Sequence, residues 1–198
     1  MSAKELFYKL KPLWENYKPD FGSSYFSGIS QGALSDIKNK EEVGYYQMLP
    51  VIVEYLKPRV ALELGGAMGA STLMMLSSLP RESYLYSITL PEEGLEFSFV
   101  KENYPNFVPI VGNDLNLTIW PKSLDLAQTD LWFFDTTHSY QQLSQEYQTY
   151  KPYFKKGAVI LLDDIKINEG MFKAWIEWEG DKFDASTWLH HSGFGIIT

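Results

Sequence analysis

A chain of 198 residues, 45% hydrophobic and 21% charged, has the length and balance of one domain with a full core. Its formal net charge of −8 argues against nucleic acid, whose phosphates need a basic face, and more weakly against an anionic membrane surface. The lack of cysteine excludes disulfides, thiolate nucleophiles and zinc–thiolate sites, and with no apolar run near the roughly 20 residues of a membrane span the expected compartment is the cytoplasm.

Residues 3–17 carry an apolar stripe at helical spacing (Leu6, Phe7, Leu10, Leu13, Trp14, Tyr17) and predict a short amphipathic helix. Residues 18–40 are rich in Gly, Ser and aromatics, with turn signals and no period, and read as a linker or a loop over the pocket. Residues 1–41 are therefore expected to form an N-terminal cap or lid, and residues 42–198 the main domain. Helical spacing returns over 42–56 through Tyr45, Met48, Leu49, Ile52, Val53 and Leu56, until Pro58 breaks it. Next come a strand at 60–64, a glycine-rich turn, and a helix at 70–76.

Further strands are predicted at 83–90, 107–111 and 131–135, with a helix-compatible run at 95–104. A helix over 140–153 closes near Pro152, and Lys155-Lys156-Gly157 turns the chain into the strongest strand, 158–164. A helix at 171–178 and two strands, 183–189 and 193–197, complete the chain. Strands alternating with helices predict α/β with a mostly parallel sheet. Only His190-His191-Ser192 separates the last two strands, too short for a crossover, so they must pair as an antiparallel hairpin.

Glycines at Gly65, Gly66 and Gly69 let the turn after the first strand take strained dihedrals and come close to a ligand. In an open parallel sheet ligands bind beyond the carboxyl ends of the strands. Three strands end there with acids: Glu63, Asp135, and the pair Asp163-Asp164. One strand-end Asp is as often a helix cap. Adjacent carboxylates after five apolar residues are costly without a cation or a donor, and oxygen-only ligands suit Mg²⁺, Ca²⁺ or Mn²⁺ rather than zinc.

Four stretches in order resemble a class I S-adenosylmethionine-dependent methyltransferase of the small O-methyltransferase branch, the methyltransferase domain 24 type. They are Glu63-Leu64-Gly65-x-x-x-Gly69-x-Ser71, Asp130 to Tyr140 around Phe134-Asp135, Lys156-Gly157 to Asp163-Asp164, and Leu189 to Gly195. The resemblance covers roughly residues 42–198. It implies a Rossmann-like methyltransferase fold, a seven-stranded mostly parallel sheet with a C-terminal antiparallel hairpin and helices on both faces. It also implies transfer of a methyl group from S-adenosylmethionine to a hydroxyl of a small molecule. By the same resemblance Glu63, Gly65, Gly69, Ser71, Thr89, Asn113 and Asp135 would meet the cofactor. Asp135, Asp163 and Asp164 would hold Mg²⁺, and His138 would act as the base beside Asp135. A near-neutral imidazole suits that task.

Three positions depart from the family pattern. Thr89 stands where an acid binds the ribose hydroxyls, with Glu92 and Glu93 beyond Pro91 as acids that could swing in. A hydroxyl holds a diol less well than a carboxylate. Asn113 follows Gly112 where Asp is commoner, and Thr136 replaces the usual Gly after Asp135. Two alternatives stay open: a degenerate member that binds without methyl transfer, and a metal-dependent hydroxylase or hydrolase on the same carboxylates. His190 and His191, on the same edge as the site, are expected as ordinary surface histidines, with contact of one of them to substrate as the alternative. Aromatics taken as exposed, Trp14, Tyr25 and Phe26, would permit a homodimer.

Overall fold

The computed structural model describes residues 1–22, 26, 28–91 and 104–198. Its sheet has seven strands: β1 Val60–Leu64, β2 Tyr84–Thr89, β3 Phe107–Val111, β4 Leu131–Phe134, β5 Val159–Asp163, β6 Lys182–Asp184 and β7 Phe194–Ile197. Their order is β3-β2-β1-β4-β5-β7-β6. The first five are parallel, whereas β7 lies antiparallel between β5 and β6. The expected seven-stranded Rossmann-like sheet with an antiparallel ending is present.

Period-two side-chain alternation divides the core into two layers. Ala61, Leu131, Phe133, Val159 and Leu161 face a layer shared with helices α1 (Ala3–Asn16), α2 (Gln31–Lys38), α3 (Tyr45–Leu56) and α4 (Ala70–Leu76). Leu62, Leu64, Trp132, Phe134, Ile160 and Leu162 face the opposite layer, against α5 (Tyr140–Tyr150) and α6 (Glu169–Glu177). Because both faces are covered, these strands read as nearly continuous apolar runs. A parallel register brings Leu64 level with Ile88 and Phe134, and Phe134 level with Leu162. The carboxyl ends of four strands therefore share one edge.

The N-terminal helix starts on a reciprocal cap, with Glu5 N donating to Ser2 Oγ and Ser2 N to Glu5 Oε2. Its Ala3, Leu6, Phe7 and Leu10 are buried in the layer that contains α3 and β7 residues. Trp14 is buried too, donating from Nε1 to Gly44 O at 2.9 Å, and Phe26 packs on Phe21, so neither is an exposed aromatic. Tyr25, Glu92, Glu93 and residues 95–103 of the helix expected over 95–104 lie outside the described residues.

Two stretches differ from the expected pattern. Within 18–40, Ser30 caps α2, and of that helix only Ala33 and Ile37 are buried, one i,i+4 pair too sparse to show a period. The stretch 183–189 is not one strand. Asp184 Oδ1 accepts from Ser186 N, ending β6 in a turn that starts the short helix α7, Ser186–Leu189. The connection from β6 to β7 is thus a helical turn plus residues 190–193, not a three-residue hairpin loop. No helix among the described residues is long and apolar enough to cross a membrane.

Candidate active site

The edge is closed on one side by the loop after β1. Gly65 N and Gly66 N both donate to Ile88 O, at 2.9 and 3.1 Å, while Asp135 N donates to Leu64 O at 2.9 Å. The loop thus crosses directly over the end of β4. Gly65 sits at φ +94°, and a Cβ there would stand 1.8 Å from the Asp135 carbonyl oxygen. Ala67 (φ 37°) and Gly69 (φ 79°) continue the left-handed turn into α4.

Beneath this loop lies Glu63, fully buried on β1. Its carboxylate accepts from the hydroxyls of Ser71 (2.6 Å), Thr72 and Ser87, tying β1 to α4 and β2. Burial pushes its pKa up, and the three donors pull against that shift. Ser71, expected to donate to the cofactor, gives its hydroxyl to Glu63 instead. Both residues therefore shape the loop from below rather than line the space above it.

That space is a cavity of about 380 Å³, walled by Gly65, Ala67, Thr89, Gly112, Asn113, Asp114, Asp135, Thr136, His138 and Gln142, among others. The volume falls within the ~300–1,000 Å³ range of small-molecule and cofactor pockets. Of the expected cofactor residues, Gly65, Thr89, Asn113 and Asp135 line it. Gly69 turns the loop into α4, and Asn113 Oδ1 accepts from Leu115 N at 2.9 Å.

At one end of the cavity stands a cluster of three carboxylates and two imidazoles. His138 Nε2 lies 3.0 Å from Asp164 Oδ2 and 3.5 Å from Asp135 Oδ1. Hydrogen bonds to Asp135 and Asp164 raise the His138 pKa to about 10, so the imidazole is a cation at neutral pH. His190 Nδ1 lies 3.0 Å from Asp163 Oδ1 and 3.4 Å from Asp164 Oδ1. Burial lowers the His190 pKa, but the hydrogen bond and charge of Asp163 outweigh it, and the net shift is upward. Asp163 itself is pushed up to about 7 by burial, with the charge of Asp135 adding to the effect. Asp135 rises for the same first reason, opposed by His138.

The donor set passes a simple test for a divalent cation. Asp163, Asp164 and His190 each offer a ligand atom, all within 4.8 Å of one another. Asp164 Oδ1 is buried and accepts no hydrogen bond, which leaves a lone pair for a cation. Of the three expected metal carboxylates, Asp163 and Asp164 come together with His190, and Asp135 meets the same His138 Nε2 that Asp164 meets. The surface-histidine expectation holds for His191, which is exposed, and fails for His190, which is buried in the cluster.

Sequence reasoning missed two further groups. Tyr45, seen only as an apolar helix position, stacks on Phe194 and lies 5.2 Å from the His190 ring. At the cavity's other side, Gln142 Nε2 donates to both oxygens of Asp114 (3.1 and 3.2 Å) and to Glu146 Oε1 (2.7 Å). Thr136 Oγ1 also donates to Glu146. Burial, and then Asp114 beside it, holds the Glu146 carboxyl well above the usual carboxylate range. The i,i+4 spacing of Gln142 and Glu146 was the available signal for this pair.

A family model described as a methyltransferase domain matches residues 62–165. Comparison with curated protein sequences gave no match. Among solved structures, the chain is similar to the O-methyltransferase TomG of Streptomyces achromogenes, involved in tomaymycin synthesis and solved with SAM. That likeness has a TM-score of 0.68 at 13% identity and covers 100% of this chain and 99% of that one. An O-methyltransferase from Bacillus cereus solved with SAH gives 0.67 at 13% identity, covering 99% and 100%. The SAH-bound methyltransferase PaMTH1 of Podospora anserina gives 0.68 at 14% identity, covering 98% and 94%. At these identities the likeness is one of fold.

Proposed function

This chain belongs to the methyltransferase-domain family, and we propose that it transfers a methyl group from S-adenosylmethionine to a hydroxyl oxygen of a small molecule. The observation that carries the reading is the double position of His138. It lines the cavity and also hydrogen-bonds the carboxylate cluster, so a group able to carry a proton stands where the cavity meets the carboxylates. The SAM and SAH complexes of structures with this fold support the choice of methyl donor.

The chain's own residues divide the work. The Gly65–Gly69 loop, backed by Glu63, forms the wall against which the donor lies. Thr89 and Asn113 line the same cavity. Asp163 and Asp164, with Asp135 nearby, would hold a divalent cation, with Mg²⁺ as the first expectation. Such a cation would supply a Lewis acid for the acceptor oxygens and offset the charge of the carboxylates around His138. In its neutral form His138 Nε2 takes the proton of the acceptor hydroxyl as the oxygen attacks the methyl carbon, whose bond to sulfur breaks to leave S-adenosylhomocysteine. Asp135 and Asp164 fix the ring so that Nε2 faces the cluster.

Thr89 favours a second reading, a module that binds the cofactor or a relative without transferring methyl. Calorimetric titration with S-adenosylmethionine and S-adenosylhomocysteine, with and without Mg²⁺, tests both. Micromolar binding, about −8 kcal/mol, followed by labelled-methyl incorporation into polyol or polyphenol acceptors, supports the transferase. Binding with no incorporation across such acceptors supports the module. No binding by the folded protein overturns both.

A further inference from the structure

We propose that His190 Nδ1 is a metal ligand beside Asp163 and Asp164, so that the site selects a first-row transition dication, Mn²⁺ or Fe²⁺, over Mg²⁺. The inference rests on the metal-assisted reading above and sharpens it. Nδ1 is the ring atom that faces both carboxylates, at 3.0 Å from Asp163 and 3.4 Å from Asp164. Asp164 divides its oxygens: Oδ2 meets His138, while Oδ1, buried and without a hydrogen bond, remains for a cation. Asp164 takes φ +55°, a left-handed conformation that costs a non-glycine residue strain and turns its carboxylate into the cluster.

His190 is held in place from several directions. Its backbone pairs with Val43, and its carbonyl accepts from Gly193 N at 2.9 Å. Its ring lies against Tyr45 on one side and the edge of His191 on the other. The loop that carries it is zipped to the turn after β5: Lys166 N donates to Ser192 O at 2.7 Å. At Gly193 a Cβ would come within 2.6 Å of Lys166 N, so the two segments sit in contact. A ring this constrained and almost wholly buried is a preorganised donor. Imidazole nitrogen suits transition metals, whereas Mg²⁺ takes oxygen ligands and keeps much of its water.

The test titrates the chelator-treated 198-residue chain with MnCl₂ and with MgCl₂ by calorimetry, and records electron spin echo modulation of the Mn²⁺ complex. The expected result is Mn²⁺ binding at least tenfold tighter than Mg²⁺, with imidazole ¹⁴N modulation. His190→Ala should remove most of that preference while leaving the Mg²⁺ affinity within about threefold. The modulation is read on the unaltered chain, so the test survives if His190→Ala does not fold. Dication binding without ¹⁴N modulation, lost in Asp163→Asn but unchanged in His190→Ala, would overturn the inference and leave the metal site standing. His190 would then be a counter-ion to Asp163. No dication binding to the folded chain would overturn both.

Discussion

Replacing Gly65 by alanine tests whether the loop crossing over β4 is the feature on which the site depends. Two costs can be separated. At φ +94° an alanine pays a left-handed backbone penalty of about 1–2 kcal/mol. Its Cβ would also lie 1.8 Å from Asp135 O and 2.5 Å from Asp135 C, against carbon contacts of about 3.5 Å. The loop and the end of β4 must then separate, stretching Gly65 N to Ile88 O and Asp135 N to Leu64 O. Each such bond is worth about 0.5–1.5 kcal/mol, which brings the total to roughly 2–5 kcal/mol. Gly157→Ala is the internal control, because Gly157 has φ +86° and no atom within 4 Å of its would-be Cβ. Urea denaturation followed by far-ultraviolet circular dichroism should show Gly65→Ala losing well over the control's backbone cost. Titration should show S-adenosylmethionine binding lost in Gly65→Ala and kept in Gly157→Ala. Equal destabilisation by the two substitutions would refute the steric reasoning.

Three other perturbations reach different parts of the site. Glu63→Gln keeps the shape but gives three hydroxyls a weaker acceptor, and should cost about 1–3 kcal/mol in thermal melts and weaken cofactor binding. An unaltered melting temperature with lost binding would instead make Glu63 a direct ligand contact. His138→Gln should lower the methyl-transfer rate by about 10²–10⁴-fold while changing cofactor affinity little. A matching loss in binding titrations would assign His138 to binding rather than proton transfer. Glu146→Gln addresses stability against pH. Burial keeps the folded carboxyl protonated far above its ordinary value of 4.5, so the unfolded chain releases that proton first. Its contribution is whole below 4.5 and is lost as pH rises through the folded value. Glu146→Gln should therefore flatten the decline of melting temperature as pH rises above the ordinary carboxyl value of 4.5. A wild-type decline that persists in Glu146→Gln would place its source elsewhere.

What was legible in the sequence depends on whether a signal is local or made across space. The parallel strands were legible because burial on both faces leaves apolar runs such as 131–134 and 159–162, each ending at an acid on the ligand edge. The antiparallel ending was legible from connection length, although Asp184 accepts from Ser186 N and so ends β6 early, by a side-chain hydrogen bond that no strand pattern reveals. The site's partners were the hardest to read. Ser71 shows a hydroxyl in sequence but not that Glu63, eight residues earlier, receives it. His190 stands 27 residues from Asp163. It reaches the carboxylates because β7 pairs antiparallel with β5, setting Phe194 opposite Asp163 and folding the preceding loop back over the strand end. A histidine pair in a turn reads as solvated surface until that register is known. The register also separates the two, burying His190 against Tyr45 and leaving His191 outside. The motif residues therefore mark where chemistry sits, and the non-local pairing of β5 with β7 decides which donors the carboxylates meet.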